Sequence, residues 1–221
     1  MILFIYGAGG AAIEIYDLVT RNSKIKNKYS KIYFIDDFQE ESEFYGTKRI
    51  KYVNLPDYLK NDEAEFIIAN GEPSARKFLF DKIQSSGYSL TTLIDEKAII
   101  SPTAKISSGC VINHGSIISS NAVLNKNCLI MFNVLVGHDV VLENDCVISP
   151  KSIIGAHCNI GEETFVGMAS SIIQGLNIGK NAIIGMGAMV FRDIPEDCTV
   201  IGNPASITKG NAKHRIFNQN R

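Results

Sequence analysis

Aliphatic residues recur at every sixth position along the C-terminal half of the chain. Ile100, Ile106, Ile112, Ile118, Leu124, Ile130, Val136, Leu142, Ile148, Ile154, Ile160, Val166, Ile172, Ile178, Ile184 and Val190 keep this phase without a slip. The residue two places earlier is usually small, as at Ala98, Ala104, Cys110, Ser116, Ala122 and Cys128. The residue after each is often Gly, Asn or Ser, including Gly137, Gly155, Gly161, Gly167, Gly179 and Gly185. A period of six fits neither a 3.6-residue helix nor a two-residue strand. It predicts a parallel β-helix in which each hexad makes one flat face and three hexads close a triangular coil. The aliphatic rungs point inward, the small residues fit the corners, and Gly, Asn or Ser supplies the tight backbone that turns them. The span from Ile100 to Val190 holds five coils, a prism about 24 Å tall at the spacing of stacked strands. The next rung would be Glu196, so the ladder is expected to end after Val190.

The first 95 residues follow another pattern. Ile2–Tyr6 is an apolar run that reads as a strand; Gly7-Ala8-Gly9-Gly10 and a helical pattern over 11–22 follow. A second strand over 31–35 ends in Asp36-Asp37. Then come a short helix over 55–60, a strand over 65–69 ending in Asn70-Gly71, a helix over 73–86 and a strand over 89–94. Strands alternating with helices predict a small parallel, Rossmann-like α/β sheet. Its C-terminal edge would gather Gly9, Gly10, Asp36, Asp37 and Gly71 into one crevice, where open α/β sheets bind ligands. The glycine turn opens a helix whose free N–H groups suit a phosphate. Ile13 stands near where a third fingerprint glycine would fall. A nucleotide or nucleotide-sugar is therefore favoured over NAD, and a plain tight turn remains the competing account. The expected division is an α/β domain over 1–95, the β-helix over 96–205 and a tail over 206–221. The tail carries Lys209, Lys213, His214 and Arg215 and is expected to fray.

Composition narrows the partners. With 22 basic and 23 acidic residues in 221 the net charge is −1, which recommends neither nucleic acid nor an anionic membrane. The chain shows neither a membrane-spanning apolar run nor a signal-peptide start, so a cytoplasmic location is expected. Cys110, Cys128, Cys146 and Cys158 are spaced by 18, 18 and 12, multiples of the repeat. Packing at the small inward corner explains them, and neither disulfide nor metal spacing is needed.

Chemistry is sought at the histidines. His114 and His138 fall two residues after a rung, His157 three after, and His214 in the tail. An outward imidazole beside a carboxylate, as at His138-Asp139, is a candidate general base, because the acid supports the imidazolium formed on proton uptake. The plainer account is a solvated surface histidine. The prism has no insertion loop to build a pocket, so a site would have to form against another surface. Flat faces favour a homotrimer with clefts between prisms.

The ladder, Gly137-His138-Asp139 and Ile201-Gly202-Asn203-Pro204-Ala205 resemble the hexapeptide-repeat acyltransferases, whose parallel β-helix is left-handed. Gly7-Ala8-Gly9-Gly10 and Phe34-Ile35-Asp36-Asp37 narrow the resemblance to bacterial sugar O-/N-acyltransferases. That group includes sialic-acid O-acetyltransferase and UDP-4-amino-sugar N-acetyltransferase, and the resemblance spans 2–205. It implies that His138 is the catalytic base and Asp139 its supporter. It implies that Gly9, Gly10, Ala11, Asp36, Asp37 and Gly71 hold the nucleotide-linked sugar. Acetyl-CoA would lie in the groove between neighbouring prisms, near Ala156, Met168 and Met186. The expected activity is acetyl-CoA-dependent N-acetylation of a nucleotide-linked amino sugar, without a metal and without a cysteine intermediate. O-acetylation of a sialic-acid-type sugar, a zinc carbonic anhydrase on the same prism and a non-catalytic nucleotide-sugar-binding protein are the alternatives. In the amino-sugar enzyme, Asn usually stands seven before the base and His nine after; this chain has Met131 and Val147.

Overall fold

A computed structural model of the chain describes residues 1–59, 63–211 and 216. The N-terminal part runs β1 (Ile2–Tyr6), α1 (Gly10–Arg21), β2 (Lys31–Ile35), β3 (Ser42–Phe44), β4 (Thr47–Ile50), α2 (Leu55–Leu59), β5 (Ala64–Ile68) and α3 (Pro73–Ser85). All five residues of β1 are apolar and buried, so it takes the middle of the sheet. β2 and β5 flank it in parallel, with Tyr6 opposite both Ile35 and Ile68. Strand alternation divides its side chains between two cores. Leu3 and Ile5 join Ile15, Leu18 and Val19 of α1. Ile2, Phe4 and Tyr6 join Leu55 of α2 and Ile83 of α3.

Two expectations are corrected here. The sheet is mixed, in the order β3-β4-β2-β1-β5: β4 runs parallel to β2, and β3 folds back antiparallel at the edge. The β3–β4 hairpin turns at Tyr45 and Gly46, both in the left-handed region. Its charged, half-exposed residues carry little apolar alternation to read. The strand expected over 89–94 is instead a crossing point. Leu90 makes one bridge to Phe66 of β5, and Leu93–Ile94 pairs with Val111–Ile112 of the next layer.

From Leu93 onward, two-residue strands stack in parallel into three ladders, each offset by one coil of 18 residues, as in Ile100↔Ile118↔Val136. The rungs from Ile112 to Val190 are buried, and Ile100 and Ile106 pack against them at the first coil. Each fully buried aliphatic side chain contributes roughly 1.5–3 kcal/mol of transfer free energy. Small residues two before the rung are buried too, and their polar hydrogens have a shared use. The Cys110, Cys128, Cys146 and Cys158 thiols and the Ser116, Ser152 and Thr164 hydroxyls each donate to a carbonyl 15 residues later. All five cysteines are free.

The corner glycines have a different role from the one expected. The left-handed turn residue lies three after the rung, at Asn121, Asn127, Asn133, Asp139, Asp145 and His157 among others. Gly137, one after its rung, instead sits where stacked backbones nearly touch: a Cβ there would lie 2.7 Å from the Ala156 nitrogen. The ladder also runs on past Val190. Ile194 bridges Ile178 and Val200 pairs with Ile184, each two residues short of the six-residue phase, so the apolar column is continued by a shortened step. Ser206–Gly210 then folds back antiparallel on Cys198–Ile201. Lys213, His214 and Arg215 lie outside the described residues.

The two parts share a core. Leu93, Val111, Leu129 and Val147, on the outside of one prism face, are buried in the cluster that holds Ile15 and Leu18 of α1. Met131 and Val147, the two departures noted above, both pack in this interdomain cluster.

Candidate active site

His138 and Asp139 occupy one corner of the prism. The six-residue phase turns both side chains outward, and Asp139 is the left-handed turn residue with φ 58°. His138 Nδ1 lies 2.7 Å from Asp139 Oδ2, and the imidazole is 55 % exposed, outside the aliphatic stack. Asn121, in the same turn position one coil below, donates from Nδ2 to Asp139 Oδ1 at 3.1 Å. Hydrogen bonds from His138 and then Asn121 hold the Asp139 carboxyl below its ordinary range. An ionised carboxylate can only accept, so His138 Nδ1 carries a hydrogen, and the lone pair of the neutral imidazole is then on Nε2. That is the tautomer a general base requires.

His157 joins this corner, although the general-base reading gave it no part. It stands one coil after Asp139, in the same turn position and with the same φ. Its Nδ1 is 3.9 Å from Asp139 Oδ2, and its ring meets that of His138 edge-on at 4.9 Å between centroids. Spacing by 18 from Asp139 was the signal that could have found it. Ala156 lies on the same corner as His138, one coil on. The N–H groups on either side of this column are used in stacking: Gly155 donates to Ile172 and His157 to His138. Among the described residues the Ala156 N–H has no backbone acceptor, so it remains available at the corner.

Met168 and Met186 are brought together, but elsewhere. They stand two after Val166 and Ile184, on the corner that also carries His114 and Phe132, and both are exposed. One prism face separates them from His138 in the same chain. The outward positions of that face include Ile99, Leu135 and Ile153, all exposed. His114 is likewise on the other corner, where it accepts from Arg21 of α1 at 3.2 Å, so it does not meet His138 and His157 within the chain.

The N-terminal crevice forms along the C-terminal edge of β2, β1 and β5. Gly7 donates to the Ile35 carbonyl and Ala69 to that of Tyr6, which sets the loops after the three strands side by side. Gly7 is the glycine that crowding requires: its φ is 130° and a Cβ would lie 2.4 Å from the Ala69 oxygen. Gly9 and Gly10 face open space, and Gly9 begins α1 without a side-chain cap. The first N–H groups of α1, from Gly10 and Ala11, have no acceptor inside the helix. Asp36 is spent locally, accepting from the Phe38 N–H at 2.9 Å.

Asp37 is tied down on the α3 side of the sheet. It accepts from the Tyr6 hydroxyl, from the Tyr52 N–H at 2.8 Å and from Lys82 Nζ at 2.9 Å. Burial pushes its carboxyl upward, but those hydrogen bonds prevail and leave it below its usual range. Burial and the neighbouring Asp37 push the Tyr6 phenol well up. Gly71 follows Asn70, whose carbonyl accepts from the buried Arg76 at 3.1 Å. The crevice therefore brings Gly9, Gly10, Ala11, Asp36 and Gly71 to one edge, and Asp37, a third exposed, lies beside it in a network with Tyr6, Tyr52 and Lys82.

Comparison with known proteins bears on both halves. Residues 2–83 match the PglD N-terminal domain. The fold is similar along nearly its whole length to the acetyltransferase domain of PglB from Neisseria gonorrhoeae. Identity is 27 %, the TM-score is 0.86, and 94 % of this chain and 99 % of that one are covered. It is also similar to WeeI from Acinetobacter baumannii, at 26 % identity, TM-score 0.87 and coverage of 94 % and 100 %. A third similar structure is perosamine N-acetyltransferase from Caulobacter crescentus, solved as a histidine-to-asparagine variant with CoA and GDP-perosamine. Identity is 25 %, the TM-score is 0.87, and coverage is 95 % and 97 %. With a match to the PglD N-terminal domain over 2–83 and a left-handed, hexapeptide-repeat parallel β-helix after it, the chain is similar over nearly its whole length to bacterial sugar acetyltransferases.

Proposed function

We propose that the protein transfers the acetyl group of acetyl-CoA to the amino group of a nucleotide-linked amino sugar, with His138 as general base. The observation that carries this reading is the 2.7 Å contact between His138 Nδ1 and Asp139, which leaves Nε2 as the ring nitrogen able to accept a proton. The sugar amine attacks the thioester carbonyl while Nε2 takes its proton, and Asp139 stabilises the resulting imidazolium. The Ala156 N–H, one coil away, donates to the oxyanion, a kind of contact whose loss typically costs about 3 kcal/mol. Collapse of the tetrahedral intermediate releases the CoA thiolate, which recovers the proton from His138. The cysteines take no covalent part, since the four in the ladder face the core.

Gly9, Gly10, Ala11, Asp36 and Gly71 are assigned to the nucleotide-sugar. The helix N-terminus and open glycine turn support a phosphate there, and the bound GDP-perosamine of a similar protein supports the substrate class. Asp37, at the end of the same strand as Asp36 and held by Tyr6, Tyr52 and Lys82, is assigned to it as well. Acetyl-CoA would pass Ala156 of one copy and Met168 and Met186 of the next. This requires a homotrimer joined along the apolar face between the two corners, and the exposed Leu135 and Ile153 support that face. Among the described residues no helix is long and apolar enough to cross a membrane; a cytoplasmic location is part of the proposal, because acetyl-CoA and nucleotide-sugars are both soluble.

The test is thiol release from acetyl-CoA against a panel of UDP-, dTDP- and GDP-linked amino sugars, with sialic-acid-type acceptors alongside. Turnover with an amino sugar and a loss of roughly 100-fold or more in kcat for His138→Asn is the expected result. Turnover confined to hydroxyl acceptors would replace the reading with O-acetylation, and an unchanged kcat in the variant would remove His138 as base.

A further inference from the structure

The corner that carries the base also has the donor set of a transition-metal site. One ligand atom each from His138, Asp139 and His157 lies within 4.8 Å of the other two, and Asp139 Oδ2 is 2.7 Å from His138 Nδ1 and 3.9 Å from His157 Nδ1. Ligands held tetrahedrally at 2.0–2.1 Å from zinc are about 3.3 Å apart, so the two contacts bracket the required spacing. Rotation of exposed side chains closes the difference. The backbone needs no change: Asp139 and His157 share one left-handed turn geometry on adjacent coils, and the His157 N–H donates to the His138 carbonyl at 3.0 Å.

Asn121 supplies the outer support that metal sites commonly have. It holds Asp139 Oδ1 at 3.1 Å, which leaves Oδ2 between the two rings. Two imidazoles and one carboxylate favour zinc-like ions over magnesium or calcium. Exposure leaves the remaining coordination positions to water.

We propose that a zinc-type cation binds His138, Asp139 and His157, and that its occupancy switches off the base. The chemistry follows from the tautomer. His138 acts as a base because Nδ1 carries the hydrogen and Nε2 the lone pair. A neutral imidazole that ligates through Nδ1 must carry its hydrogen on Nε2, with no net gain or loss of protons. Metal binding thus removes the one lone pair that faces the substrate and takes Asp139 away from its supporting role. Binding stands on the geometry alone; the switch rests on the acetyl-transfer reading.

The experiment titrates zinc into metal-free full-length protein against a chromophoric chelator, with cobalt substitution as the optical probe. The same samples are assayed for thiol release from acetyl-CoA. One zinc per chain at micromolar affinity, weakened at least about 10-fold by His157→Asn, is expected. Asn121→Ala should weaken it by about 10-fold as an outer-support loss. The zinc concentration that halves turnover should shift with each variant in parallel, measured against that variant's own metal-free rate. Equal affinity in wild type and His157→Asn, or binding only at millimolar zinc, overturns the site. His157-dependent binding with turnover untouched overturns the switch. Absence of turnover with every acceptor would instead defeat the acetyl-transfer reading and leave the metal site standing.

Discussion

The Arg76 guanidinium and the corner residue Asn127, 51 positions apart in the chain, bolt the α/β layer to the prism. Nε and Nη2 donate to the Asn127 carbonyl at 2.9 and 2.8 Å, and Nη2 donates to Asn127 Oδ1 at 2.7 Å. Nη1 reaches back to the carbonyls of Ile68 and Asn70 at 2.9 and 3.1 Å, so all five donors of the fork are directed at oxygens. The side chain is fully buried; burial lowers its pKa to about 10, which leaves it protonated at neutral pH.

Arg76→Lys should therefore be far from conservative. A lysine offers one nitrogen where a planar fork met four acceptors, and each buried carbonyl left unpaired costs about 1–3 kcal/mol. A loss of roughly 3 kcal/mol or more is expected by denaturant unfolding, and a change below 1 kcal/mol would show that the bolt bears no strain on the joint. Since Nη1 also holds the Asn70 carbonyl, the nucleotide-sugar KM should rise while that for acetyl-CoA stays put.

Asp145 gives stability a specific pH dependence. It accepts from Asn127 Nδ2 at 2.7 Å, but burial outweighs that bond and pushes its carboxyl up to about 6. The folded chain therefore keeps this proton to a higher pH than the unfolded one, where an Asp titrates near 3.9. The sign follows: stability falls as pH rises from about 4 to about 6 and is level above, by roughly 2–3 kcal/mol in all. Asp145→Asn, which keeps the acceptor and suits a left-handed turn, should flatten this slope and be the more stable protein at pH 7. Unfolding curves recorded every half pH unit decide it.

Two glycine substitutions separate crowding from backbone conformation. Gly137→Ala puts a Cβ 2.7 Å from the Ala156 nitrogen and 2.9 Å from the Gly155 carbonyl carbon, so stacked coils must part beside His138. A cost of about 2 kcal/mol or more is expected, with activity falling further than stability. Gly175→Ala meets nothing within 4 Å but sits at φ 79°, and should cost only about 1 kcal/mol. Equal Tm shifts would refute the distinction.

Assembly is tested on the open face. Leu135→Glu with Ile153→Glu places charge on the apolar surface between the two corners, both residues being exposed in the single chain. Light scattering should show the mass fall to the 24.3 kDa of one chain, with circular dichroism unchanged and acetyl transfer lost. A full-length wild type that is already a monomer and still active would end the proposal of a shared site.

Much of the prism is legible in the chain because its order is local and repeats. The rungs from Ile112 to Val190 are buried where the six-residue phase puts them, since each hexad closes one face whatever lies far away. The same phase turns His138 and Asp139 outward. What escaped it are the ends: the step at Ile194 and Val200 is shortened by two residues, and periodicity has no way to announce a change of stride. The β3–β4 hairpin escaped for another reason: its residues are mostly charged or polar and half-exposed, with no apolar alternation to read.

From sequence alone came the triangular coil, the α/β domain before it, the glycine-opened helix and the imidazole-carboxylate pair, all of which depend on neighbours within one repeat or one loop. Tertiary structure alone decided three further matters. Asp37 is held by Tyr6, Tyr52 and Lys82, three residues distant from it in sequence. Stacking sets how the His138 and His157 rings meet, edge-on with centroids 4.9 Å apart. Met168 and Met186 stand one prism face away from the base within the chain. The physical reason is the same in each case: short-range pattern governs which way a side chain points, but what it meets there depends on backbone that returns to the spot from tens of residues away.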